Sequence, residues 1–310
     1  MKKYVLSGIL LALSTSMAFS EELPEMNYEL MDGASREIKW DAYFSTFGGY
    51  NWTKLEQDDY SENFEDFSYG ARASGVYHFD NGVSIQKDLV YDRSDLGVDY
   101  NGGFVDGNVT SSDFDAATHI YTQNSSYLLG AIVQLGKTSF DFAGFNQDTT
   151  RFYFGGEAQK YYGNFTFYGQ AGYQRTKTDG GGPFGSSNFA SDGLIASLEA
   201  RYFYTDNWRF DVKGTYAYQQ YDFEGSDALD ALELAAGTEY RFADTPFSLT
   251  SDISWQIADN EGVESSRTTV LVGVKMNLGA ETLKSRDRGG VTLDPFEVLK
   301  PLESLYSGVT

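Results

Sequence analysis

Residues 38–50 read IKWDAYFSTFGGY and alternate between two kinds of side chain. One set contains Trp40, Ala42, Phe44, Thr46, Gly48 and Tyr50, and the other contains Lys39, Asp41, Tyr43 and Ser45. A period of two is that of a β-strand, because successive side chains point to opposite faces of a sheet. The stretch therefore predicts a strand with one apolar face and one polar face.

The same period recurs along the chain. It predicts strands near residues 38–50, 67–77, 83–92, 118–135, 139–146, 151–162, 164–175, 193–204, 208–221, 228–242, 247–257 and 268–278. Short links at residues 80–82, 136–138, 162–164, 205–207 and 243–246 alternate with links that are mostly longer, residues 147–150 being the exception. About twelve strands with alternating link lengths are typical of a transmembrane barrel with short periplasmic turns and longer outer loops.

Composition and hydropathy fit this reading. The chain has 23 Tyr, 23 Phe and 33 Gly but only 5 Pro, and its mean hydropathy is -0.40. No segment offers the run of about 20 apolar residues that a transmembrane helix needs. Alternation hides the apolar face of a barrel from a hydropathy scan. We therefore predict an all-β fold, a transmembrane up-and-down antiparallel β-barrel of about 12 strands; a soluble β-sandwich or a lipocalin-like barrel is the alternative.

The first residues indicate export. Lys2 and Lys3 precede a short apolar run, and small residues lead to Ser20, so we expect a signal peptide at residues 1–20. Residues 21–37 are acidic without a period of two and are predicted to be a periplasmic lead-in segment or a small plug. The barrel is predicted over residues 38–279 and a periplasmic C-terminal tail over 280–310. The chain contains no Cys, so disulfides cannot staple it.

Charge limits the partners that the chain can have. The formal net charge is -22, and removing the signal peptide removes the two positive charges of Lys2 and Lys3. Such an acidic protein would repel a phosphate backbone, so we expect no nucleic acid. The expected partners are outer-membrane lipids, lipopolysaccharide and the barrel-assembly machinery. Nothing in the sequence indicates the oligomeric state.

Two segments resemble a known group of proteins. Residues 268–288 read TTVLVGVKMNLGAETLKSRDR, a final alternating strand followed by a short basic stretch, and residues 161–173 read YYGNFTFYGQAGY. Both are similar to porin-like outer-membrane barrels of alphaproteobacteria. The resemblance implies an outer-membrane location and a pore, and it brings no catalytic residues. Many outer-membrane barrels end on an aromatic residue in the last strand, whereas here Leu278 is followed by a tail, so we expect assembly to read an internal signal or the tail to stay clear of it.

The polar face of the predicted strands carries charges of both signs. The candidates for lining and selectivity are Lys39, Asp41, Arg72, Asp88, Glu157, Glu199, Arg201, Asp211, Lys213, Glu239, Arg241, Asp252 and Lys275, with Arg151 and Arg209 on the same face. In a narrow barrel such charges either form a structural ion-pair network that closes the lumen or a constriction that selects solutes. The first reading predicts a non-conducting structural or adhesive barrel, and the second a porin-like channel for passive diffusion of small hydrophilic solutes or ions.

Other motifs give little support for chemistry. Acidic residues between 56 and 66 and between 95 and 115 predict a solvated outer rim, since they lack the spacing of a calcium loop. His119 is predicted near this rim, where an imidazole beside carboxylates would suit a surface protease. No second motif supports that activity, so we expect no enzyme, no cofactor and no metal. In the tail, residues 292–299 predict either a short helix or disorder, with Phe296 packing on the periplasmic mouth or on a partner.

Overall fold

The computed structural model describes residues 39–57, 60–98, 107–142, 145–182, 185–186, 189–221, 228–260 and 263–296. The chain divides into two compact units, Met1–Glu37 and Ile38–Thr310, and every described residue belongs to the second. The predicted signal peptide and lead-in segment lie outside the described residues. No helix in the described ranges is long and apolar enough to cross a membrane.

Twelve long antiparallel strands form one closed sheet within the described residues, which confirms the predicted fold class. The strands are β1 (Trp40–Gln57), β2 (Tyr60–His78), β3 (Val83–Val98), β4 (Gly107–Gln123), β5 (Tyr127–Phe142), β6 (Phe145–Tyr162), β7 (Phe165–Gly182), β9 (Phe189–Thr205), β10 (Trp208–Tyr221), β11 (Leu229–Arg241), β12 (Phe247–Asn260) and β13 (Val263–Leu278), with the two-residue strand β8 (Gly185–Ser186) between β7 and β9. Each long strand pairs with its sequence neighbours, and β1 pairs with β13 to close the barrel.

The alternating residues of each strand face the interior and the outer surface of the barrel in turn. Asp41 and Tyr43 of β1 are buried in the interior, whereas Trp40 and Phe44 are exposed on the outer surface. Outward aromatic residues gather near the short-turn end and again farther along the strands, as Trp40 and Tyr50 show on β1. Ten residues of tilted strand separate the two, which corresponds to about 25 Å along the barrel axis. That height matches the apolar band of outer-membrane barrels.

Tight turns join the strands at one end. Gly82 and Gly163 have φ angles of +81° and +56°, a region that glycine enters without steric cost. Asn124 accepts hydrogen bonds from the backbone N–H groups of Ser126 and Tyr127 at 2.8 and 3.0 Å, so its side chain builds the turn between β4 and β5. This end, with its compact turns, is the short-turn mouth of the barrel.

The structure corrects the prediction for residues 118–150. The predicted strand 118–135 is interrupted by the turn at residues 124–126, and the predicted turn 136–138 lies inside β5. Residues 147–150, predicted as a link, lie inside β6. Gly136 does not serve a turn: a Cβ atom there would come within 2.1 Å of the Asp115 carboxylate, so the missing side chain makes room in the lumen. The strand total is unchanged because the two predicted breaks are replaced by two others, at residues 124–126 and between β5 and β6.

The strands are also longer than predicted. The acidic residues expected in a first outer loop lie mostly on the paired ends of β1 and β2. Asp66 faces inward, is buried and lies 3.3 Å from Arg267. The prediction of a purely solvated rim is wrong for Asp66, Asp113 and Asp115, all of which are buried.

After β13 the chain turns into the barrel. Gly279 has a φ of +113°, and helix α1 (Leu283–Gly289) follows, with Thr282 as its N-cap and a reciprocal bond between Thr282 and Ser285. Residues 291–296 are not helical. The helix predicted to begin near Thr292 is therefore absent from residues 292–296, and residues 297–299 lie outside the described part of the chain.

Candidate functional site: a segment inside the lumen

Residues 280–296, here called the lumen segment, enter the barrel at the short-turn mouth. The Leu283 and Lys284 backbone N–H groups of α1 donate to Asn207 Oδ1 and Asp206 O at 3.3 and 3.0 Å, in the turn between β9 and β10. Arg288 donates to the carbonyls of Gly163 and Phe165 at 3.1 and 3.0 Å. The helix thus sits across two turns of this mouth, and the chain beyond it goes inward.

Asp41 holds the two ends of the helical part. Its carboxylate accepts hydrogen bonds from the N–H groups of Ala280 at 2.9 Å and Val291 at 2.8 Å. Asp41 is 1% exposed and belongs to β1. A buried carboxylate that receives backbone N–H donors is well stabilised, so Asp41 fixes where the segment enters and where it turns inward.

Wall glutamines bind the backbone of the segment. Gln86 Nε2 donates to the Leu293 carbonyl at 2.6 Å, and its Oε1 accepts from the N–H groups of Thr292 and Leu293 at 3.2 Å each. Gln134 donates to the Phe296 carbonyl at 2.9 Å and accepts from the Phe296 N–H group at 2.8 Å. A side-chain amide offers one donor group and one acceptor, the same complement as a peptide group.

Two further glutamines extend this pattern across the wall. Gln159 on β6 donates to the Thr292 carbonyl at 3.1 Å, and Gln170 on β7 donates to the Asp294 carbonyl at 2.5 Å. The Phe296 ring lies 4.0 Å from the Tyr153 ring, centroid to centroid. The segment is therefore bound along its length by strands from more than half of the barrel circumference.

Arg72 and Arg201 both form ion pairs with the Asp294 carboxylate of the segment. Asp294 lies 2.7 Å from Arg72 Nη1 and 2.6 Å from Arg201 Nη2. Each arginine also contacts a wall carboxylate, Asp88 at 2.8 Å and Glu199 at 2.7 Å. Burial alone would raise the pKa of Asp294, but the charges of Arg72 and Arg201 hold the pKa of this carboxyl far below its usual range.

A second set of charges holds α1. Arg286 Nη2 lies 2.8 Å from Glu239, which also contacts Lys275 at 2.8 Å. Arg201 reaches Asp287 at 3.0 Å as well as Asp294. Both signs occur on the wall and on the segment, so the two surfaces complement each other in charge.

His119 lies inside the barrel rather than at the outer rim. Its ring nitrogens are 3.2 Å from Asp88 and 3.0 Å from Glu157, and all three side chains are fully enclosed. The rim position that the sequence predicted depended on the wrong strand break. His119 therefore connects Asp88, the partner of Arg72, to Glu157 within the barrel wall, and it does not face an external substrate.

Most of the predicted lumen residues do face the interior. The interior positions are held by Asp41, Arg72, Asp88, Glu157, Glu199, Arg201, Asp211, Lys213, Glu239, Asp252 and Lys275. Lys39 lies at the mouth, exposed, and pairs with Asp80 of a turn at 3.1 Å. Arg241 also lies at the mouth, where it donates to the carbonyls of Thr245 and Ala280.

Charged side chains on the side of the lumen formed by β10–β12 keep part of their surface exposed. Asp252 faces inward yet is exposed, and the side chains of Asp211 and Lys213 retain 16% and 19% of their accessible surface. The hydrogen bonds to residues 291–296 come from β1–β3, β5–β7 and β9, on the other side. Water therefore reaches charged side chains on both sides of the lumen, since the side chains of Arg72 and Asp294 retain 18% and 38% of their surface.

Sequence reasoning missed the partners of these arginines. Asp294 and the four glutamines carry no periodic signal that distinguishes them from other polar residues. The available signal was the mixture of basic and acidic residues in 281–294, directly after the last strand, which matches the mixed charge of the inward faces.

The fold has known counterparts. The chain is 11% identical to the translocator domain of the autotransporter NalP from Neisseria meningitidis, over 89% of this chain and 99% of that one, with a TM-score of 0.54. An outer membrane channel from Pseudomonas putida F1 is 10% identical over 78% of this chain and 96% of that one, with a TM-score of 0.58. The beta domain of the Bordetella autotransporter BrkA is 12% identical over 77% of this chain and 100% of that one, with a TM-score of 0.50.

These likenesses establish the fold, a closed antiparallel barrel like those of outer-membrane proteins. No protein-family model matches the chain, and no curated protein matches it. The chain shares its fold with a channel and with translocator domains, so the fold alone does not distinguish these functions. The side chains and the segment inside the lumen bear on that distinction.

Proposed function

We propose that this protein is an outer-membrane channel for small hydrophilic solutes or ions, and that the lumen segment restricts its pore. The observation that carries the proposal is the exposed surface that charged side chains keep inside the barrel, beside the docked segment. Asp294 of the segment keeps 38% of its side-chain surface exposed, and Asp211, Lys213 and Asp252 on β10–β12 also keep exposed surface. A wet, charged wall is what ion-selective pores use.

The location follows from the outer surface. Outward residues such as Leu129, Val133 and Leu135 on β5 are exposed and apolar, and aromatic residues flank them along the strands. Such a surface needs lipid to cover it. The proposal therefore includes export through the signal peptide at residues 1–20, assembly by the barrel-assembly machinery, and contact with outer-membrane lipids and lipopolysaccharide. The resemblance to porin-like barrels of alphaproteobacteria agrees with this location. It assigns no catalytic role.

A second function has its own support. Buried charge pairs such as Arg201–Asp287 and Arg286–Glu239 fix the segment firmly, as expected of a structural barrel that never opens. In that case the outer ends of the strands would be the working surface. The two functions differ in one measurable property, which is whether ions cross the barrel.

Conductance in planar bilayers distinguishes them. We expect the full chain to give small discrete steps and Asp294→Lys, which places a third positive charge between Arg72 and Arg201, to give larger ones. Asp259→Lys makes the same change of charge at an exposed strand end and should leave the steps unchanged. Asp252→Lys should shift selectivity towards anions. A folded barrel that never conducts, in either the full chain or Asp294→Lys, would reject the channel and support the structural barrel.

A further inference from the structure

The wall that binds residues 291–296 has the properties of a peptide-binding site. Gln86, Gln134, Gln159 and Gln170 are at most 6% exposed, and each makes hydrogen bonds to the main chain of the segment. Contacts to main-chain groups do not depend on the side chains of the bound peptide. The wall can therefore hold an extended peptide of another sequence in the same way.

The same wall selects for one side chain. The Asp294 carboxylate lies between the guanidinium groups of Arg72 and Arg201, at 2.7 and 2.6 Å. Arginine suits carboxylate recognition because its planar donors match the two oxygens. Asp88 and Glu199 contact these guanidinium groups from the wall, so each arginine is also oriented by a carboxylate that does not belong to the segment.

We propose that these six residues, here called the peptide wall (Arg72, Gln86, Gln134, Gln159, Gln170 and Arg201), bind extended acidic peptides supplied from outside the chain. The lumen segment is the resident occupant and the competitor of such peptides. This inference rests on the proposed channel function and names its substrate class as short peptides that carry a carboxylate.

Competition sets the conditions under which binding is visible. A tethered segment acts at an effective concentration in the millimolar range. A free peptide of the same sequence therefore occupies the wall only at comparable concentration, unless the resident segment is first displaced. We expect Asp294→Lys to displace it by repulsion from Arg72 and Arg201 while leaving every residue of the peptide wall intact.

The probe is a fluorescent, end-capped peptide with the sequence of residues 290–296, GVTLDPF. Its binding to full-length Asp294→Lys in detergent is measured by anisotropy, beside a peptide in which Asn replaces the Asp. We expect the acidic peptide to bind and the Asn peptide to bind at least roughly tenfold more weakly, because it loses the charge-assisted bonds to both arginines. Asp259→Lys, whose segment stays docked, should bind the probe at least roughly tenfold more weakly than Asp294→Lys.

Wild-type protein provides a second measurement that needs no folded variant. Millimolar acidic peptide should speed hydrogen exchange in residues 290–296 of the protein, and the Asn peptide should not. Equal binding of the two peptides, or no exchange change and no anisotropy change with either, would overturn the inference. Equal displacement of the probe by succinate would also overturn it, because a small carboxylate makes no use of the glutamines.

Conductance separates this inference from the channel function. Larger steps in Asp294→Lys without peptide binding reject the peptide wall and leave the channel in place. Peptide binding to a barrel that never conducts rejects the channel and leaves a binding site. Peptide binding together with block of the enlarged steps supports both.

Discussion

Replacing Asp294 with Asn removes the carboxylate charge that Arg72 and Arg201 share. A hydrogen bond to a charged group contributes about 1.5–3 kcal/mol, and two such bonds are weakened here. The full loss is smaller, because Asp294 keeps 38% of its side-chain surface exposed and each arginine retains a wall carboxylate. We therefore expect docking of the segment to weaken by about 2 kcal/mol, which is a roughly 30-fold change in the docking equilibrium.

Hydrogen exchange with mass spectrometry measures this directly. Amide protection in residues 290–296 should fall by roughly 30-fold in Asp294→Asn, while protection of the β-strands stays the same. Asp259→Asn is the matched control, since it makes the same chemical change at an exposed strand end. Protection of the segment that stays within about twofold of wild type would refute the argument that the two arginines hold it.

Three other outcomes are expected. The folded pKa of Asp294 lies below the unfolded value of about 3.9, so the contribution of Asp294 to docking is present above about pH 3.9 and is lost as the pH falls below it. We therefore expect conductance to stay constant from about pH 8 to pH 5 and to rise only below about pH 4. A rise in conductance already at about pH 6 would contradict this expectation. A Cβ atom on Gly290 would lie 2.8 Å from Asp41 Cγ, so the pair Asp41→Cys and Gly290→Cys should form a disulfide in a chain that has no other Cys, seen as a mobility shift that reductant reverses. Val133→Arg puts a charge in the outward apolar band and should lower the free energy of unfolding in lipid vesicles by about 2–4 kcal/mol, whereas Asp259→Arg should change it by at most about 1 kcal/mol.

The alternation of polar and apolar residues was enough to predict the barrel. Trp40 and Phe44 face outward and Asp41 faces inward, because lipid and a wet interior impose opposite demands on successive residues. Turn chemistry was less reliable. Gly136 resembled a turn residue but serves close packing against Asp115, whereas the real turn depends on the side chain of Asn124.

The lumen segment was beyond the reach of local patterns. Its partners are far away in the sequence: Arg72 and Asp294 are 222 residues apart, and Gln134 and Phe296 are 162 apart. A period of two identifies which residues face inward but carries no information about what they meet there. The charges of the predicted lumen set were therefore found by pattern, while the occupant that binds them required the three-dimensional structure.

The lumen segment contacts both strands of the β1–β13 pair that closes the barrel. Asp41 lies on β1, and Asn277, which accepts from Arg286, lies on β13. The segment therefore makes hydrogen bonds to both strands of this pair. The surface on which it docks is complete only when β1 and β13 are paired. We therefore expect closure of the barrel to precede complete docking of the segment. The hydrogen bonds from the Ala280 and Val291 amides to Asp41 join the chain that follows β13 to β1, so we expect the protection of these two amides to depend on closure of the barrel.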